Sequence, residues 1–494
     1  MKRRSGIRAV AIGGLALAWV AAATVPADAQ QDAAAVTPDS VANKTAQLLQ
    51  ALLRFDTSNP PGRTIEQARY LDGLFRAIGA STEIIETPNE GQVHFIARLK
   101  GDGSKRPVLI AAHSDVVPVE RQSWTVEPFA GVVNDGFVLG RGAMDFKGGQ
   151  AVFARAVMML VENKVPLARD VIFLAEANEE AGEYNTIWLA KEHWDKIDAE
   201  FGLNEGGWIF EDEKGRTRQV NITTRDKISA LVKLTATGRS THASRPMPES
   251  AITHLTIALA KTAAWDTSPT LIAQTREYFR ALSHTAEPPL ADHLRTLADS
   301  TDPAALRQAG QKVVELGSYK LLWHALMRNT VAPTMLKAGI KENVIPGTAE
   351  AILNVRLIPG STPWEVMDQL RTVIDDPTVT VQLGGTMSEE QARHFYDERT
   401  KLAASGTGTD LYKALVDSAR KAWPGAEVVS ALFEAGTDAS AWRSRGVPIY
   451  GIYPYPLDNE TLERMHGNDE RISIKSLGEG TQMIYDALAA VVRK

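Results

Sequence analysis

The chain has 494 residues, 44% of them hydrophobic, and a formal net charge of -6. It is long enough to bury a full core and too long for one typical domain, so two domains are expected. Charges are interspersed with no basic stripe of the kind that tracks a phosphate backbone, which argues against nucleic acid as a partner. The absence of cysteine excludes disulfides, thiolate ligands and a cysteine nucleophile, and leaves His, Asp and Glu to hold any metal.

At the N-terminus, Lys2, Arg3, Arg4 and Arg8 precede an uncharged stretch from Ala9 to Val25, and Ala27-Asp28-Ala29 follows as a small-x-small cleavage site. This pattern predicts a signal peptide over 1–29, export to the periplasm or beyond, and no stable membrane anchor after cleavage. The stretch is short and Ala/Gly-rich for a ~30 Å hydrocarbon core. Helical periodicity then appears in VANKTAQLLQALLRF and TIEQARYLDGLFRAIG, followed by the β-rich runs VHFIARLKG and PVLIAAHSD. The apolar helix AVFARAVMMLVENK, the strand DVIFLAEANEE and a helix near Trp188 continue the alternation. Helices alternating with apolar strands predict a mostly parallel sheet covered on both faces, with loops at the strand ends sharing one crevice.

Near Asn221 the pattern changes, because ISALVKLTATG alternates apolar and polar residues as a half-exposed antiparallel strand does. A helix from Ser250, a polar helical stretch over 267–328 and the strands TMLKAG and AEAILNVRLIPG are grouped with it. The α/β pattern resumes at TDLYKALVDSARKAW and runs to SLGEGTQMIYDALAAVVRK. The expected organisation is a catalytic domain over 30–221 and 388–494, interrupted by an inserted α+β domain over 222–387.

Chemistry-bearing residues gather at the strand ends of the first pattern. LIAAHSDVVPV delivers His113 to the end of an apolar strand, and Asp115 two residues later lies on the same side, able to fix the histidine tautomer. In GFVLGRGAMDFKGG, Asp145 sits between glycine-rich turns and a helix, where the backbone lets a carboxylate approach other loops. A helix N-cap is the simpler role for it alone. A phosphate loop does not fit: the third glycine of a dinucleotide fingerprint is missing, and neither Ser nor Thr follows Lys147. LAEANEEAGE places Glu179 and Glu180 after a buried strand and points them in different directions, so that one can bind a metal while the other reaches its water. Glu205 in FGLNEGGW and His466 in RMHGNDE complete the set.

The strings HSDVVPV, GRGAMDFKGG, EANEEAG, NEGG, GRSTHASRP, ENVIPG, NVRLIPG, EAGTDA and MHGNDE, in this order from about Thr57 to the C-terminus, resemble a family of zinc peptidases. That family includes aminoacylase, acetylornithine deacetylase, succinyl-diaminopimelate desuccinylase and carboxypeptidase G, and the nearest likeness is to carboxypeptidase S and the secreted N-fatty-acyl-amino-acid hydrolases. The resemblance implies two zinc ions per chain, in sites that also accept cobalt or manganese. Asp145 would bridge them, with His113 and Glu205 completing one site and Glu180 and His466 the other. Glu179 would be the general base and Asp115 the orienter of His113. His242, in the inserted domain, would reach the site of a partner in a homodimer and stabilise the oxyanion, while Arg356, Asn343 and Gly436 would hold the substrate carboxylate. EAGTDA departs from the family in having Ala435 where a second glycine is common.

The implied activity is hydrolysis of the amide bond of an N-acyl-amino acid or of a C-terminal peptide residue through a zinc-activated water. A dipeptidase is the nearest alternative, and a non-catalytic binding homologue would lack a ligand or the base.

Overall fold

The computed structural model describes residues 40–494, so the expected signal segment at 1–29 lies outside the described residues. An eight-stranded sheet has the spatial order Ser81–Glu86, Val93–Leu99, Val171–Glu176, Val108–His113, Phe201–Glu211, Ile449–Leu457, Thr217–Asp226, Glu427–Phe433. Val108–His113 runs parallel to both neighbours, Ile449–Leu457 runs parallel to Phe201–Glu211, and Glu427–Phe433 runs parallel to Thr217–Asp226. The first two strands form an antiparallel border.

Alternation along Val108–His113 sends Val108, Ile110 and Ala112 into a core with the helices Val41–Leu53, Lys147–Glu162 and Ile474–Val492. Leu109 and Ala111 enter a smaller core on the other face with Leu189, Ile197 and Trp442. Because His113 stands opposite Glu176 in the parallel register, the strand ends bring their following loops together, as the α/β pattern predicted.

A second, four-stranded antiparallel sheet has the order Thr330–Ala338, Thr348–Leu357, Ile228–Thr237, Val379–Leu383. Its alternating burial puts Val232, Leu234, Leu353 and Val355 into a separate core against the helices Ala251–Ala264 and Pro363–Ile374. Thr330–Ala338 is an edge strand, and Met335 and Leu336 on it are 66% and 68% exposed.

Packing differs from the sequence grouping at three places. Over 267–328, Tyr278, Phe279, Leu294, Val313 and Met327 bury in the core of the large sheet, because their amphipathic faces cover the flank near Glu427–Phe433 that neighbouring strands leave bare. Conversely, Ala392 and Tyr396 of the helix Glu389–Lys401 bury in the core of the small sheet. The strand Thr217–Asp226, which spans position 221, belongs to the large sheet throughout.

Candidate metal centre

His113 is buried at its strand end, with Nδ1 2.9 Å from the backbone carbonyl of Asp115, which fixes Nδ1 as the protonated nitrogen and leaves Nε2 facing the crevice. The Asp115 carboxylate is farther, 3.8 Å from Nδ1. It accepts instead from Asn59 Nδ2 at 2.8 Å and from the backbone N–H groups of Glu179 and Glu180 at 3.2 and 3.1 Å. Asp115 therefore ties the His113 turn to the acidic turn. Asn178, in the left-handed region at φ 63° and bonded to Asn59 and Gln92, sets the entry to that turn.

Asp145 presents one oxygen to each histidine: Oδ1 lies 3.1 Å from His113 Nε2, and Oδ2 lies 2.9 Å from His466 Nε2. Its loop is held from behind by Glu470, a fully buried carboxylate that accepts from Arg141 Nη1 and from the backbone N–H groups of Gly142, Met144 and Asp145. Arg141 also donates to the carbonyl of His466, so one Arg–Glu pair braces both loops. Lys147 turns away and donates to the carbonyls of Leu52 and Phe55, which removes it as a phosphate ligand.

Glu205 Oε2 lies 3.6 Å from His113 Nε2, and Glu180 Oε1 lies 3.3 Å from His466 Nε2. Tyr453, buried under Trp208 at a ring separation of 4.0 Å, places its hydroxyl 3.0 Å from both Asp145 Oδ1 and Glu205 Oε2. At Gly207 a Cβ would overlap the Asn221 carbonyl oxygen, so the NEGG string lets Phe201–Glu211 pass close to Thr217–Asp226.

Ligand atoms of His113, Asp145 and Glu180 lie within 4.8 Å of one another, as do those of His113, Glu179 and Glu205. Burial raises the pKa of Glu205 to about 7 against the pull of His113, and raises that of Glu179 well above the carboxylate range, reinforced by the neighbouring charges of Glu205 and Glu180. Burial opposes a charged His466, but Asp145 and Glu180 outweigh it and lift its pKa to about 10. Glu180 Oε1 is buried with no well-aligned hydrogen bond, its nearest cation being His466 Nε2 at 3.3 Å. Clustered carboxylates in a desolvated crevice repel unless cations sit among them, and this nitrogen and oxygen donor set fits divalent zinc, cobalt or manganese.

A cavity of about 400 Å³ opens over these groups, with Arg356, Asn354 and Gly436 opposite the acidic floor and Phe395, Phe433 and Met465 on its walls. Arg356 Nε donates to Asn354 Oδ1 at 3.1 Å. His242 and Asn343 do not line this cavity. They are exposed neighbours on the short pair Thr241–His242 with Val344–Ile345, where His242 Nδ1 lies 2.8 Å from Ser244 Oγ.

Sequence reading passed over Glu470 and Tyr453. Glu470 stands at the end of the quoted RMHGNDE string, and a buried acid four residues after a ligand was its signal; Tyr453 is hidden in the apolar run IYGIYPYPL.

A mostly parallel sheet whose strands carry His113, Glu179, Glu180 and Glu205 to a crevice that Asp145 and His466 enter from adjoining loops, with a second antiparallel sheet beside the cavity, defines a class of metallohydrolases. The chain belongs to the peptidase family M20/M25/M40, whose model matches residues 109–490. It is 29% identical over 393 residues to a probable carboxypeptidase S-like 2 of Dictyostelium discoideum, covering 78% of this chain and 71% of the relative. It is 25% identical over 430 residues to the N-fatty-acyl-amino acid synthase/hydrolase PM20D1 of Homo sapiens, covering 86% and 82%. The fold is similar to an M20 family metallo-carboxypeptidase from Sulfolobus solfataricus (TM-score 0.64, 18% identity, 90% of this chain and 99% of that one). Human carnosine dipeptidase 1 is equally alike in fold (TM-score 0.65, 18% identity, 91% and 96%). The chain is thus a hydrolytic metalloenzyme of this family.

Proposed function

We propose that the chain is an exported amidohydrolase that cleaves N-acyl-amino acids, or the C-terminal residue of small peptides, with two zinc ions that His113, Asp145, Glu180, Glu205 and His466 would hold. The observation that carries this reading is the division of Asp145, one oxygen toward His113 and the other toward His466, with Glu205 beside the first histidine and Glu180 beside the second. When bound, the metal pair supplies Lewis-acid activation of a water and of the scissile carbonyl. Glu179 would take the proton of the attacking water and pass it to the leaving amine, a role suited to a carboxylate whose pKa burial raises above the usual range. Glu179 also stands in one of the two ligand-atom groups. Its role as base rests on its place beside His113 and Glu205 without a hydrogen bond or ion pair to either histidine, whereas Asp145 and Glu205 lie against His113 and Asp145 and Glu180 against His466.

Arg356 grips the free carboxylate of the substrate, the planar fork being suited to a bidentate pair, and Gly436 borders the same end of the cavity. The small-sheet unit acts as lid and dimerisation domain. Exposed apolar side chains on the edge strand Thr330–Ala338, and Ile340 at 90% exposure, suit pairing between two copies. His242 and Asn343 then serve the site of the second copy, consistent with their position outside the cavity of their own chain. The basic and apolar N-terminal sequence supports export.

Metal content together with a substrate panel tests the reading. Close to two metals per chain, turnover lost to a chelator, and cleavage of acyl-amino acids but not of their carboxamides are expected. Chelator-resistant turnover, or equal cleavage of acid and amide forms, would overturn it.

A further inference from the structure

Arg399 is a cation that the reaction described above does not use. It stands one helical turn after Phe395 on the helix Glu389–Lys401, and its guanidinium lies 4.8 Å from the Phe395 ring centre. Both side chains line the active-site cavity. Among the described residues the Arg399 side chain has neither an ion pair nor a hydrogen bond. Of the two carboxylates in electrostatic reach, Asp226, which also borders the recess, pairs through Oδ2 with Arg443 at 2.6 Å and accepts there from Thr437, and Asp438 accepts through Oδ1 from Thr186 at 2.7 Å; the second oxygen of each is buried without a hydrogen-bond partner, and neither forms an ion pair with Arg399.

Beside Arg399 the cavity continues into a recess of about 30 Å³ that Gly436, Thr437 and Ser440 also border. That volume holds roughly two or three water-sized groups, the size of a carboxylate. Ser440 is 8% exposed, and its Oγ is buried without a hydrogen-bond partner, a costly state unless a ligand accepts from it. Gly436 joins the recess to the carboxylate end of the main cavity: a Cβ there would lie 3.8 Å from Arg356 Nη1.

We infer that Arg399 and Ser440 form a second carboxylate-binding recess beside Arg356, so that the preferred substrates are N-acyl derivatives of acidic amino acids. This rests on the amidohydrolase reading and deepens it. With the α-carboxylate on Arg356, a side-chain carboxylate of Asp or Glu reaches past Gly436 to the Arg399 guanidinium and the Ser440 hydroxyl. The acyl group lies on the opposite side of the scissile bond, away from the recess.

The test is kcat/KM of the zinc-loaded enzyme on N-acetyl-Glu against N-acetyl-Gln, which differ in charge but hardly in shape. The same pair is then measured with Arg399→Met, Arg399→Lys and Ser440→Ala. Wild type should favour Glu over Gln by about 10- to 100-fold, the scale of one charge-assisted pair in a partly desolvated site. Arg399→Met should bring the ratio near one, Arg399→Lys should keep part of it, and Ser440→Ala should reduce it by roughly 3- to 10-fold. A purely structural Arg399 would lower both substrates together and leave the ratio standing, which overturns the inference, as does a wild-type ratio near one. N-succinyl-Leu against N-butyryl-Leu forms a second arm, and a charge preference confined to it would move the recess to the acyl side and overturn the assignment. Turnover of neutral acyl-amino acids without a Glu preference defeats this inference alone; no turnover of any acyl-amino acid defeats the amidohydrolase reading with it.

Discussion

The large sheet and the small sheet hold their polar residues in opposite ways. At the large sheet, His113, Asp145 and Glu205 are at most 5% exposed, and partners such as Asp115, Glu470 and Tyr453 fix them before any ligand arrives. On the small-sheet side, in a separate two-stranded pair between segments of that sheet, His242 and Asn343 are exposed and lean only on that pair. A buried carboxylate cluster can be preassembled within one chain because hydrogen bonds and cations offset its desolvation. Exposed groups on a short strand pair have no such constraint, and a second copy is what would give them a site.

The sharpest break in this contrast is Asp145→Ala. Losing the group between the two histidines should strip both metals and lower hydrolysis by about 10⁴-fold or more, since several kcal/mol of Lewis-acid stabilisation is forfeited at about 1.4 kcal/mol per tenfold. Metal content by mass spectrometry of the native protein checks the first part. Glu179→Gln should instead keep both metals and lose at least ~10²-fold in kcat, and a metal-depleted Glu179→Gln protein would mean that this residue is a ligand and not the base. Mixing it with His242→Ala tests the small-sheet side. Random pairing makes half the dimers mixed, each with one intact site of two, so activity should return to about a quarter of wild type; no recovery in demonstrated mixed dimers would place His242 outside catalysis.

Arg356→Met comes next, with an expected fall in kcat/KM of roughly 10²-fold, because leaving a substrate carboxylate unpaired in a half-buried cavity costs about 3 kcal/mol. Near-neutral behaviour would show that another group holds the carboxylate. Glu470→Gln is the mildest: the loop amides keep an acceptor but lose the charge that Arg141 faces, so zinc affinity should drop by the ~10- to 100-fold usual for groups that orient ligands. Competition with a chelator of known affinity measures it, and an unchanged affinity would reduce Glu470 to a packing residue.

Much of the α/β order was legible in the sequence, because buried parallel strands such as VLIAAH and VIFLAE have no polar alternation to blur them. The half-exposed strand ISALVKLTAT was equally plain, with Val232 and Leu234 inward and Lys233 outward. Helices over 273–327 were assigned to the wrong neighbour since an amphipathic face shows that a helix packs, not upon what. The site was legible as motifs at strand ends. The support behind it was not, because Glu470 and the Asp115 carboxylate act on backbone N–H groups, and a backbone partner leaves no mark in residue types. Arg399 escaped for a related reason: nothing in QARHFYDERT separates it from the paired Arg393 six residues earlier.

The most direct test of the account is an anomalous difference map from crystals of the zinc-loaded enzyme, recorded on both sides of the zinc absorption edge. Two peaks roughly 3.5–4 Å apart are expected, flanking the Asp145 carboxylate, one beside His113 and Glu205 and the other beside His466 and Glu180. A single peak, or two peaks not shared by Asp145, would contradict the bridged pair on which every role assigned here depends.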